Sequence, residues 1–144
     1  MITLRVDGEP APQGSKSIGR HGGVYEKSRK VKPWRDAIEA AAARATWEPI
    51  SGPVEVQITF WLPRPAWHYR TGRNSHLLRD SAPLLPMTRP DWDKLIRSTL
   101  DGLTGAGIYR DDGQVTDGIV RKRYANPYAG EKPGAQITIW EATP

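Results

Sequence analysis

Ile2, Leu4 and Val6 alternate with Thr3, Arg5 and Asp7 at the start of the chain, the period of two expected of a strand with one buried face. Pro10 and Pro12 end that run. The period then changes. Trp34, Ala37, Ile38, Ala41, Ala42 and Ala45 recur at three-four spacing, with Arg35, Asp36 and Glu39 off the stripe. This predicts a helix from Pro33 to about Thr46, whose alanines allow close packing on a sheet. After Ser51, Gly52 and Pro53, the residues Val54, Val56, Ile58, Phe60 and Leu62 alternate with polar neighbours and predict a central strand. Trp92, Leu95, Ile96, Thr99, Leu100 and Leu103 mark the apolar face of a second helix. It should start close to Asp91 or Asp93 and stop before Gly105 and Gly107. Ile108 and Tyr109 read as a short strand in a hairpin with Val115 to Tyr124, and Ala135 to Glu141 as the last strand. The order predicts one α+β domain over residues 1–144, a mixed β-sheet with two main helices packed on one face.

Two stretches keep no period, and both are basic. Residues at about 13–32 carry Lys16, Arg20, Lys27, Arg29, Lys30 and Lys32, opposed only by Glu26. Residues at about 63–88 carry Arg64, Arg70, Arg73 and Arg79 with Trp67 and Tyr69 among them. Each reads as a flexible basic loop, either a solvated connector or a surface that grips phosphates and stacks on exposed bases. His68 and His76 have no cysteine partners and do not make a zinc signature.

Net charge narrows the partners further. At +5 the chain favours phosphate-rich ligands. With no cysteine, disulfides, thiolate metal sites and cysteine nucleophiles are excluded. No signal-peptide layout is present, and no apolar run approaches the roughly 18 residues of a membrane span. The expectation is a soluble cytoplasmic protein with no membrane partner.

Within this basic chain the acids gather in two knots, Asp91 with Asp93 and Asp111 with Asp112. Taken singly, one is an ordinary helix cap and the other an ordinary turn. Capping and turn chemistry, however, do not call for a doubled carboxylate at both places. Pro90 favours extended geometry before it, and an extended chain through Asp93 would point Asp91 and Asp93 the same way. The helix and its return could then bring the knots together, with Lys122 near them. Clustered carboxylates on a basic protein suit a hard divalent cation and phosphodiester cleavage.

The string D-x-D-[NK]-L-x-[KR]-x-x-x-D-G-L, a glycine-bounded turn, then Y-x-D-D-x-Q-V and a lysine further on, closely resembles the RusA family of Holliday-junction resolvases. These endonucleases are often encoded by phages and prophages. The resemblance is strong from Arg89 to Tyr124. It implies that Asp91, Asp93 and Asp112 bind Mg²⁺, with Mn²⁺ as a substitute, and that Arg97 stands where the family has a catalytic lysine. Lys94 stands where asparagine is common. It also implies a homodimer that resolves four-way or otherwise branched DNA by paired symmetric nicks in recombination and repair. Lys16, Arg20, Lys27, Arg29, Lys30, Arg70, Arg73, Lys94 and Lys122 are the expected DNA contacts. The alternatives are a flap or branched-DNA nuclease, or a non-enzymatic DNA-binding module.

Overall fold

The structure, a computed structural model, describes residues 1–14, 16–18, 20, 24–26 and 29–144. Its strands are β1 (Ile2–Asp7), β2 (Lys16–Ile18), β3 (Val24–Glu26), β4 (Val54–Pro63), β5 (Val115–Ala125) and β6 (Gly134–Glu141). Its helices are α1 (Val31–Ala43) and α2 (Trp92–Gly105). The main sheet runs β1-β6-β4-β5, while β2 and β3 form a separate antiparallel ribbon. Strands β1 and β4 both pair antiparallel with β6, and β4 pairs parallel with β5, which makes the sheet mixed. The expected fold class is therefore found: one domain with two helices on one face of a mixed sheet.

Alternation in sequence becomes alternation in burial. Ile2, Leu4 and Val6 of β1 are buried between exposed neighbours, and Val54, Val56, Ile58, Phe60 and Leu62 of β4 do the same in the interior. Trp34 and Ile38 of α1 and Leu95 and Leu103 of α2 join that core. The helices meet closely. A side chain at Gly102 would put its first carbon 2.8 Å from Ile38 Cδ1 and 3.3 Å from its Cβ, so Ile38 would have to shift to admit it. One polar link crosses the buried layer, from Trp34 Nε1 to Thr99 Oγ1 at 3.1 Å. It satisfies both groups away from water.

The expected hairpin before β5 is not formed. Tyr109 makes a single bridge to Ile50, and β5 pairs in parallel with β4. Parallel neighbours need a crossover, and α2 supplies it. The sequence pattern of β5 suits either partner, so local alternation could not distinguish them.

The segment between β4 and α2 carries two single 3₁₀ turns, Ala66–His68 and Gly72–Asn74, and a bridge from Tyr69 to Leu78. Arg70 N donates to Leu77 O at 2.8 Å and Arg79 N to His68 O at 2.8 Å. His68 is buried. Its burial, with Arg64 beside it, lowers its pKa and favours the neutral ring. Arg64 Nη1 lies 3.2 Å from His68 Nδ1, which must then be the acceptor. The histidine is a packing residue on the scaffold.

Candidate active site

Residue Asp91 is the N-cap of α2, with φ −68° and ψ 140°. Extended geometry ends there, and Asp93 already lies in the first helical turn. The expected arrangement, with both carboxylates leaving one extended edge, is corrected: positions two apart at a helix start do not share a face. The acids flank the helix terminus instead. Its position is set by β5. Lys122 Nζ donates to Thr88 O at 2.9 Å and Pro90 O at 2.7 Å, and Trp92 Nε1 donates to Val120 O at 3.1 Å. Together they clamp the chain on both sides of Asp91.

Asp91 does not cap the helix it begins. Its side chain makes no capping hydrogen bond and lies 3.5 Å from Lys94 Nζ. The plain reading of this residue as a cap is therefore not realised. The first amides of α2 are left without a side-chain acceptor, and such a terminus favours a bound anion. Arg97 is exposed one turn beyond Asp93, on the same side of the helix.

The second knot divides its labour. Asp111 Oδ1 accepts from Gly113 N at 3.0 Å and caps the single turn Asp112–Gln114. Gln114 Oε1 accepts from Arg110 N and Asp111 N, while its Nε2 donates to Ile50 O and Gly52 O. That holds the turn against the start of β4. Asp112 is exposed. A hydrogen bond with Asp111, then partial burial, then the charge of Asp101 raise the Asp112 pKa above the ordinary carboxylate value. The Gly113 amide, followed by the bond with Asp112, lowers that of Asp111. Asp112 is thus a carboxylate in an excess of negative charge, which a cation would relieve.

The two knots do not meet within one chain. Asp112 feels Asp101, ten residues into the helix from Asp91, and a rise of 1.5 Å per residue separates those two positions by about 15 Å. Among the described residues, no three His, Asp or Glu side chains converge on a point that could hold a metal. The physical reason is the crossover. Chain return after α2 starts β5 at the far end of the helix, and it is the later part of β5, with Val120 and Lys122, that comes back to the residues flanking Asp91. Even so, the donors suit a hard cation. Magnesium commonly takes one or two protein carboxylates and completes its shell with water and phosphate oxygens, and Asp91 and Asp93 are each exposed oxygen donors of that kind.

The expected DNA contacts divide in the same way. Arg29, Lys30 and Arg73 are exposed, and Lys30 pairs with Glu9 at 3.2 Å. Arg70 is tied to Asp80 at 3.1 Å and to Leu78 O. Arg20 is exposed, Lys16 belongs to β2, and Lys27 lies outside the described residues. Lys94 stands beside Asp91, and Lys122 has two of its three N–H groups on carbonyls.

Sequence reasoning missed a cavity of about 460 Å³ that opens beside Asp91. It is walled by Pro10, Pro12, Leu62, Pro63, Pro65 and Tyr124, and Arg89, Lys94 and Lys30 also line it. The only sequence signal was the recurrence of proline on three separate segments, which periodicity does not weigh.

The chain matches the family described as Endodeoxyribonuclease RusA over residues 7–140. It belongs to that family, and membership supports a nuclease of the RusA type. No curated protein matches it.

Proposed function

We propose that this member of the RusA family is a divalent-metal-dependent, structure-selective endodeoxyribonuclease that resolves four-way DNA junctions as a homodimer. The observation that carries the reading is the start of α2, where Asp91 is clamped in place yet free of capping duty, with Asp93 beside it and Arg97 one turn on. A merely structural N-cap would have its carboxylate on the helix amides.

The three aspartates are assigned as metal ligands, and their separation dictates how they are used. One chain holds Asp91 and Asp93 at one end of α2 and Asp112 at the other. In a two-fold dimer with α2 of the copies running in opposite directions, Asp112 of the partner subunit completes each site, and two equivalent sites result. Two sites match the two equivalent strands of a four-way junction.

Magnesium bound there would activate a water and offset charge developing on the phosphoryl oxygens. The chain's own groups do the rest. The open amides at the start of α2 and the guanidinium of Arg97 hold the scissile phosphate. Arginine keeps its proton, so Arg97 stabilises charge and does not act as the general acid. Lys122 and Trp92 fix where Asp91 sits.

The test is a substrate panel. Four-way junctions, flaps and linear duplexes are incubated with protein and Mg²⁺ or with a chelator. Metal-dependent cleavage of the junction in paired strands is expected. Cleavage of flaps alone would leave a branched-DNA nuclease, and binding without cleavage would leave a DNA-binding module.

A further inference from the structure

The cavity beside Asp91 is not used by the proposed chemistry, although Asp91 itself lies on its lining. Proline rings, Leu62 and Tyr124 give it apolar walls, Arg89, Lys94 and Lys30 are its cations, and Glu9, Asp91 and Thr88 also stand on its lining. At about 460 Å³ it falls within the range of sites that bury one compact organic ligand. Double-stranded DNA cannot enter such a space.

Tyr124 is held as a platform. Arg64 lies over its ring at 4.3 Å from the centroid, and His68 meets it edge-on at 5.4 Å. Arg64 is fixed in turn, donating to Pro83 O at 2.7 Å. A ring held this way loses little conformational freedom when a planar ligand lies against the site.

We propose that this cavity takes one unstacked nucleobase from the branch point, with the adjoining phosphate held by Arg89 and Lys94. The inference rests on the nuclease reading, because the cavity and the proposed metal ligands share Asp91, so a base lodged there belongs to a nucleotide next to the scissile phosphate. Apolar surface makes up most of the walls, so stacking outweighs hydrogen-bond readout and the site reads the availability of a base more than its identity. Within a continuous duplex, removing a base from the stack costs a few kcal/mol, and the cost is least where stacking is already broken. The cavity thereby supplies a physical basis for preferring branched DNA over linear DNA.

The test uses full-length protein and four-way junctions with 2-aminopurine at single positions, in the absence of divalent metal. A rise in emission is expected on binding at a branch-point position and not within the arms. Thr88→Trp, at an exposed position on the cavity wall, should abolish that rise. With Mg²⁺ present, the ratio of junction to duplex cleavage should fall about tenfold in Thr88→Trp and Tyr124→Leu and persist in Tyr124→Phe. If the junction is cleaved but no branch-point position brightens, or Thr88→Trp brightens like the unaltered protein, the base pocket is refuted and the nuclease reading stands. If 2-aminopurine brightens and no DNA is cleaved with metal, the pocket stands and the nuclease reading falls. Thr88→Trp keeps the proposal open to refutation even if Tyr124→Leu fails to fold.

Discussion

Mixing two inactive variants gives the sharpest consequence of the distance along α2. Asp91→Asn and Asp112→Asn each remove one proposed ligand, and each alone should lose cleavage while still binding DNA. Asp91 and Asp101, the helical residue whose charge Asp112 feels, stand about 15 Å apart along the helix, so under the proposed function a site takes Asp91 from one copy and Asp112 from the other. After co-refolding in equal amounts, about half of the dimers are mixed, since pairing is random. Every mixed dimer has one site carrying both substitutions and one carrying neither. Relative to the unaltered protein, about one quarter of the sites are therefore intact, and about one quarter of the nicking rate should return. Because each mixed dimer has a single working site, a cruciform plasmid should be nicked and not linearised. If ligands came from one chain, both sites of every mixed dimer would be damaged and nothing would return. Continued inactivity of the mixture, with heterodimers confirmed by native mass spectrometry, refutes the shared site.

Three further outcomes follow from the packing and charges described. Gly102→Ala places a carbon 2.8 Å from Ile38 Cδ1 and should destabilise the fold by about 1–3 kcal/mol, read as a lower thermal midpoint; an unchanged midpoint would contradict the close helix packing. Replacing Arg29 and Lys30 by alanine should weaken junction binding and reduce the dependence of log K on log salt by about 0.9 for each phosphate no longer neutralised; an unaltered slope would move the DNA surface elsewhere. Asp112 must be ionised to ligate a cation, and its pKa is raised by Asp111, burial and Asp101. Asp101→Asn removes one raising charge, so the acid limb of the pH–rate profile should shift to lower pH; a limb that stays in place would exclude that coupling.

Much of the scaffold was legible because its signals are local. Alternation in Ile2 to Val6 and Val54 to Leu62 and the three-four stripes of both helices carried into burial, except that Trp92 at the head of the second stripe is exposed and turns its indole to Val120 O. The partner of β5 was not legible, because pairing direction depends on where α2 delivers the chain and not on the residues of the strand. The Asp pairs were visible as an excess over capping needs, yet their placement required helix length and direction. Asp111 and Asp112 are adjacent and chemically identical, but only the former caps the turn. Tyr124 carried no signal, since its role comes from Arg64 and from prolines distant in sequence.

If the site is shared between two copies, helix α2 also acts as a safety device. Under the shared-site proposal, a freshly made chain holds its ligands at opposite ends of a rigid rod and has no competent nuclease centre. Competence arises by mass action. Below the dimer dissociation constant, the cutting rate should grow with the square of protein concentration, and dilution alone should switch it off. A cell carrying a few stray copies would keep its chromosome intact, and two copies gathered on one junction would be armed by the DNA that assembled them.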